Sequence, residues 1–311
     1  MDGTQTLVTG AAGFIGSNLV DRLLEEGATV RGLDNFETGR RQNIEHVLDH
    51  EHFDFVEGDL REAQTVEAVM DGVDHVFHQG AVPSVPRSVE DPLLTTQANC
   101  VGTVNLLNAA RDEDITSVVV ASSSSVYGSS EELPKHEEMP VNPESPYALS
   151  KYFTEQLAVQ FADLYGLDTV SLRYFNVFGP RQDPTGDYAA VIPKFISLML
   201  DGERPVIYGD GEQSRDFTYI ANVVQANLDA AMSDCSGEVL NVACGERATV
   251  NELVEELNSI LGTMFEPKYG DPRPGDVRHS LADISKAQEL VGYESSVSFE
   301  DGLERTVEWF S

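Results

Sequence analysis

Basic residues are what this sequence has least of. Lys and Arg number 20 against 53 Asp and Glu, a formal charge of −33 over 311 residues. The lysines are Lys135, Lys151, Lys194, Lys268 and Lys286. A surface of that sign repels nucleic-acid backbones and anionic lipid, which argues against nucleic-acid or membrane partners. Self-repulsion of this size strains a compact fold in dilute buffer, and salt screens it. The chain therefore reads as halophilic, adapted to a salt-rich cytoplasm; an ordinary acidic enzyme is the alternative. Cysteine is scarce too. Cys100, Cys235 and Cys244 form no pair or metal-type spacing and read as reduced thiols of a cytoplasmic protein. No apolar run approaches a membrane span. A first strand at Thr6-Leu7-Val8 leaves no targeting segment to be expected.

What is present is an alternation of short apolar runs and longer helical patterns, the rhythm of a parallel sheet with crossover helices. Strands are expected at 6–9, 29–33, 53–56, 75–78, 118–121 and 169–172, and a further one at 239–242. Helical patterns lie near 14–25, 63–70, 95–110, 146–164, 250–261 and 298–310. After Gly179 the rhythm loosens into loops rich in Pro, Gly and Asp.

Between the first strand and first helix lies Gly10-Ala11-Ala12-Gly13-Phe14-Ile15-Gly16. Glycines in that context let backbone N–H groups and a helix N-terminus approach a pyrophosphate. Asp34 ends the second strand, where a carboxylate binds both ribose hydroxyls of NAD and repels a 2′-phosphate. Arg40 and Arg41 follow it and keep NADP open. In isolation a packing glycine or a capping Asp looks the same; strand, glycines, helix and acid together point to a dinucleotide site. Tyr147 and Lys151 stand four residues apart, hence on one helical face. An ammonium beside a phenol favours the phenolate, so Lys151 is expected to lower the Tyr147 pKa and make it a proton-transfer group.

These motifs resemble the extended short-chain dehydrogenase/reductase family, and within it the nucleotide-sugar 4-epimerases, nearly end to end. The resemblance implies a Rossmann-type doubly wound α/β sheet with a smaller C-terminal α+β substrate domain. The expected boundaries are 1–178, with about 216–245 returning to it, for NAD, and about 179–215 with 246–311 for the nucleotide sugar. It implies NAD contacts from Gly10, Gly13, Phe14, Ile15, Gly16, Asp34, Asn35, Asp59, Leu60, Gln79, Ala81, Asn99, Tyr147, Lys151 and Phe175. His78-Gln79-Gly80-Ala81 departs mildly from the family's His-x-Ala-Ala.

Counting back from Val126-Tyr127-Gly128, Ser123 matches the catalytic hydroxyl, with Ser122 and Ser124 as alternatives. Related dehydratases carry an Asp-Glu pair where this chain has Ser124 and Ser125, and related decarboxylases a Glu at the latter. That favours C4 epimerisation of a UDP-sugar through a 4-keto intermediate. Substrate contacts are implied for Ser84, Ser123, Asn176, Ala190, Val191, Arg215, Arg273, Asp276 and Ser280. Ser280 takes the place of a gate that is a large tyrosine in enzymes restricted to glucose and galactose. A small gate admits UDP-GlcNAc and UDP-GalNAc, and plain hexoses as well. The helices near 95–110 and 146–164 are implied to pair in a homodimer, though their apolar residues serve equally as core. The rivals are a UDP-uronate epimerase or decarboxylase, a 4,6-dehydratase, and a catalytically silent NAD-binding module. His46 and His50 have helical i, i+4 spacing, but no carboxylate or cysteine motif completes a metal site, and none is expected.

The charge balance predicts an unfolding midpoint that climbs as KCl is raised to molar concentration. A midpoint indifferent to KCl would remove the salt-adaptation reading.

Overall fold

The computed structural model describes residues 1–185, 189–272 and 277–311. Its centre is a seven-stranded parallel sheet. The strands in chain order are β1 (Gln5–Thr9), β2 (Thr29–Asp34), β3 (Phe53–Glu57), β4 (His75–His78), β5 (Ser117–Ser123) and β6 (Thr169–Tyr174). The strand Glu238–Val242 completes the set. Spatially β3, β2, β1, β4, β5 and β6 follow one another, and Glu238–Val242 pairs in parallel with β6 at the far edge. The order reverses between β1 and β4, which opens a crevice beyond the strands' carboxyl ends. The 239–242 expectation is thus met.

Period-two alternation explains why both faces are covered. Val8, Phe77, Val119 and Leu172 face one core, while Leu7, Val76, Val118 and Val120 face the other. The first face is covered by Phe14–Glu25, Val191–Leu200, Ile220–Met232, Val250–Leu261 and Phe299–Phe310, whose apolar residues join one continuous cluster with the sheet. The second face takes Ala63–Met70, Gly102–Asp112 and Pro146–Tyr165. Small antiparallel and parallel pairings, such as 248–249 with 214–215 and 268–270 with 206–208, build the C-terminal side.

Two local features differ from the sequence expectation. The pattern near 95–110 is broken: Pro92–Thr95 is α-helical, Thr96–Val101 forms a π turn, and Gly102–Asp112 resumes the α-helix. A π turn adds a residue that rotates the face presented inward, and here it turns Asn99 into the interior, 1% exposed. The helices Val191–Leu200 and Ile220–Met232 were hidden in the loose rhythm after Gly179.

The long helix Pro146–Tyr165 starts where the sequence sets it to start. Ser145 caps it by accepting from the Ala148 N–H at 3.1 Å, Pro146 follows, and Gly166 ends it in left-handed conformation. Its middle is pinned to the sheet by a buried ion pair. Arg173 on β6 donates to Glu155 through Nε at 3.0 Å and Nη2 at 2.6 Å, and Glu155 also accepts from Ser122 Oγ at 2.8 Å. Arg173 further donates to Tyr127 Oη at 2.9 Å, and Tyr127 donates to Asn241 Oδ1 at 2.7 Å. Removing one partner leaves the other charge buried and unpaired, which costs about 3–5 kcal/mol. Glu155→Gln should therefore lower the unfolding free energy by about that amount in urea titrations. A loss under ~1 kcal/mol would show the pair is solvated and of little weight.

Candidate active site

The turn after β1 is a cradle that side chains would fill. Gly10 has φ +68°, and a Cβ there would lie 2.8 Å from the Gly80 backbone. A Cβ on Gly16 would lie 2.0 Å from the Gly10 carbonyl oxygen. Backbone packed that closely, at a helix N-terminus, suits a pyrophosphate. Asp34 accepts from the N–H groups of Ala12 at 2.9 Å and Phe36 at 2.8 Å. Burial raises its pKa, and those N–H groups oppose the rise.

A cavity of about 600 Å³ opens there, lined by Gly10, Gly13, Phe14, Ile15, Gly16, Asp34, Asn35, Asp59, Leu60, Gln79, Ala81, Ser84 and Ala190, among others. These expected contacts are therefore brought to one place. Asn35 donates to Asp59 at 2.8 Å, and Arg61 forks onto the same carboxylate, holding it down to about 2. Arg40, one of the two arginines that left NADP open, is bonded to Asp183 and Thr185. Cradle, acid and cavity together fit a dinucleotide.

Ser123 ends β5, and its hydroxyl lies beside the Tyr147 phenol, where it favours the phenolate, while accepting from the Ser125 N–H at 3.2 Å. Ser122 is taken up by Glu155, which separates two of the three candidate hydroxyls by geometry. The Tyr147 backbone is fixed from two sides. Its N–H donates to Ser88 Oγ at 3.0 Å, and its carbonyl accepts from Ser150 Oγ at 2.8 Å. Asn99 donates to that same Ser150 at 2.9 Å and accepts from the Val82 N–H at 2.7 Å. Its amide is spent on protein groups, so it braces the tyrosine's turn and is not among the cavity-lining residues.

Two expectations need correction. Tyr147 is pushed above the ordinary tyrosine range by burial, with only the neighbouring Ser123 hydroxyl opposing. Lys151 donates to the Ala121 carbonyl at 2.8 Å, and burial pulls it down to about 8. An ammonium committed to a carbonyl and itself desolvated does not supply the expected lowering. Phe175 was expected beside the nicotinamide. Instead it is 0% exposed and packs against Tyr127 in a small core cluster, so its side chain offers no surface to the cavity.

On the C-terminal side, Asn176 adopts φ +36° and donates to the Asp216 carbonyl at 3.0 Å. Asp216, which sequence reasoning passed over, is wholly buried. Its carboxylate accepts from the N–H groups of Cys244 at 2.9 Å, Gly245 at 3.1 Å and Ala282 at 3.1 Å. The only signal available was its place beside Arg215 in an apolar stretch. Ser280 donates its N–H to Ser214 at 3.0 Å, so the gate position and Arg215 share one short ladder. Val191 opens a helix that follows Ala190. Arg273, Asp276 and Tyr188 lie outside the described residues. His46 turns to Asp21 at 2.8 Å, while His50 accepts from the His52 N–H at 3.2 Å.

A parallel sheet reversing at β1, a glycine cradle, a strand-end acid and a Ser–Tyr pair with Lys one turn on define a dinucleotide-binding protein of the short-chain dehydrogenase/reductase type. The chain belongs to the family described as GDP-mannose 4,6 dehydratase, whose model matches residues 7–306. It is 41% identical over 305 residues to a putative UDP-glucose 4-epimerase of Methanocaldococcus jannaschii, covering 97% of each chain. A UDP-N-acetylglucosamine 4-epimerase from Methanobrevibacter ruminantium, solved with UDP-N-acetylmuramic acid, superposes with TM-score 0.96 at 44% identity, covering 100% of this chain and 99% of that one. A UDP-glucuronic acid 4-epimerase from Bacillus cereus, solved with UDP-glucuronic acid and NAD, superposes with TM-score 0.91 at 32% identity, covering 98% of each.

Proposed function

We propose that this chain is an NAD-dependent UDP-sugar 4-epimerase that interconverts UDP-GlcNAc and UDP-GalNAc and also accepts UDP-glucose and UDP-galactose. The observation that carries the reading is the Ser123 hydroxyl at the end of β5 set beside the Tyr147 phenol, with Lys151 one turn on and Ser124 and Ser125, not carboxylates, alongside. Dehydration and decarboxylation are disfavoured because the acid and base expected at those two positions are hydroxyls. The small Ser280 in the Arg215 ladder supports the N-acetylated substrates. In the NAD site the glycine cradle takes the pyrophosphate and Asp34 the adenosine ribose. Asp59 and Leu60 border the adenine. We place the functional division as the motifs suggest, with 1–178 and about 216–245 for the cofactor and the remainder for the nucleotide sugar.

Bound NAD supplies a hydride acceptor, and then donor, at sugar C4. Tyr147 Oη takes the proton of the C4 hydroxyl and returns it when the ring has presented its other face. Ser123 Oγ holds the same oxygen and stabilises the phenolate against the desolvation that opposes it. An ammonium has three donors, so Lys151 keeps the Ala121 carbonyl and still has capacity for the nicotinamide ribose. Arg215 and Arg273 grip the diphosphate, and that remote binding energy leaves the hexose ring free to turn.

We assign a homodimer built on the exposed apolar residues of the two long helices. Val101 is 44%, Leu149 56% and Phe153 41% exposed on neighbouring elements of one face. Light scattering should give twice the chain mass, and Leu149→Lys with Phe153→Ser should halve it; a wild-type monomer would sink the assignment. The free thiols and acidic surface keep the cytoplasm as the compartment we assign.

The deciding experiment is turnover in high-salt buffer with NAD, offering UDP-GlcNAc, UDP-glucose and UDP-glucuronate separately and resolving the products. UDP-GalNAc should appear, and Tyr147→Phe should lose about 10²–10⁴-fold in kcat. Conversion of UDP-glucuronate alone would move the enzyme to the uronate class. Near-normal turnover by the Phe variant would refute the assignment of Tyr147.

A further inference from the structure

In a chain so poor in cations, three arginines on adjoining segments lie within electrostatic reach of one imidazole. Three short segments build the place. Thr249 and Ala248 pair antiparallel with Ser214 and Arg215, and Ser214 bridges in parallel to His279. The Ser214 N–H donates to the Arg278 carbonyl at 2.9 Å, and Arg215 Nη1 donates to that carbonyl at 3.2 Å. Each segment thus contributes one arginine, Arg247, Arg215 and Arg278, with His279 on the bridge. The ring's Nδ1 is engaged with Ser214 Oγ at 2.9 Å, which fixes the ring on the bridge between the two segments.

Among the described residues the charges acting on that ring are Arg247, Arg278 and Arg215, all positive, and Asp210, negative. Arg278 is itself paired with Asp210 at 2.9 Å. Burial first, and then the three arginines, hold His279 below the ordinary histidine range. The ring is therefore kept neutral by the same cations that attract an anion, and a dianion among them reverses the sign of the local field.

We infer that His279 takes up one proton when the substrate's diphosphate docks among Arg215, Arg247 and Arg278, adding a fourth positive group to the clamp. The inference rests on the diphosphate role proposed above for Arg215. It makes binding of the nucleotide sugar proton-linked. The proton comes from solvent and returns on release, and no bond of the sugar is involved. A nucleotide-sugar diphosphate is fully ionised well below pH 6, so the uptake belongs to the protein.

The test is calorimetry on the NAD-loaded Tyr147→Phe variant, which binds without turning over. UDP-GlcNAc, UDP-glucose and dTDP-glucose are titrated at pH 6 to 8 in buffers of differing ionisation enthalpy. Proton uptake should appear as a buffer-dependent heat, and affinity should fall with rising pH by up to about tenfold per unit. Adding His279→Gln should leave a folded, binding-competent protein whose heat is independent of buffer and whose affinity is flat with pH. Arg247→Gln should weaken binding while the uptake persists in part. Binding of UDP-GlcNAc with no uptake, or uptake surviving in His279→Gln, overturns the inference and leaves the epimerase reading standing. Proton-linked binding of dTDP-glucose alone keeps the inference and overturns the choice of UDP-sugar. Binding of none of the three overturns both.

Discussion

The buried pair between Glu155 and Arg173 is the constraint on which the site depends. Neither charge has access to water, and each is satisfied only by the other and by Ser122, Tyr127 and the groups behind them. Through it the middle of the long helix is locked to β5 and β6. Tyr147 and Lys151 lie upstream of Glu155 on that helix, and Ser123 follows Ser122 directly in the chain. One polar contact therefore sets the distance between the phenol and the hydroxyl that act together. A hydrophobic pair of similar volume would pack as well, but it would not fix the helix in register along its axis; directional bonds do. The cation–π contact of Arg173 over the Tyr127 ring, 4.8 Å from the centroid, carries the same lock to the loop that follows β5.

A second tier of bracing reaches the tyrosine from the other side. The π turn at Thr96–Val101 carries Asn99 inward, where it joins the Val82 backbone to Ser150 and so to the Tyr147 carbonyl. His78, pulled to about 3 by burial and by Lys151, is neutral and bridges Thr9 and Thr103. Its role is to tie the end of β4 to the glycine cradle and to the helix beneath, and a neutral ring does this without adding charge next to Lys151. The same economy appears at Asp216, a single carboxylate gathering three backbone N–H groups from two loops.

Much of this was legible in the sequence, for reasons that differ by region. The first half has strands of doubly buried apolar residues separated by helices, and local pattern alone sets Phe14–Glu25, Ala63–Met70 and Val250–Leu261 to the residue. The cavity-lining residues proposed for the cofactor were legible because a glycine cradle and a strand-end acid are local motifs. The misses are the places where distant contacts override local pattern. Glu155 and Arg173 stand 18 residues apart with nothing between to mark a pair. Phe175 follows β6 and was read as a cavity wall, yet the chain turns it into the core against Tyr127. Spacing put Lys151 next to Tyr147, whereas the ammonium's partner is a carbonyl on β5 that no helical periodicity reveals.

The acidic surface and the anionic ligands pull against each other, and the disposition of the arginines is the way the chain meets this. NAD and nucleotide sugars are both negative, and a field from −33 charges repels them at long range. Arg40, Arg61 and Arg87 line the cofactor cavity, and Arg215, Arg247 and Arg278 come from adjoining segments of the C-terminal side around His279. Salt screens the two effects unequally. At about 1 M the screening length is roughly 3 Å, so repulsion from the distant surface vanishes while a guanidinium in contact with a phosphate retains most of its attraction. High salt thus relieves the self-repulsion of the fold and opens the approach of the ligands with the same change. A surface that opposes binding in dilute buffer becomes neutral to it in brine.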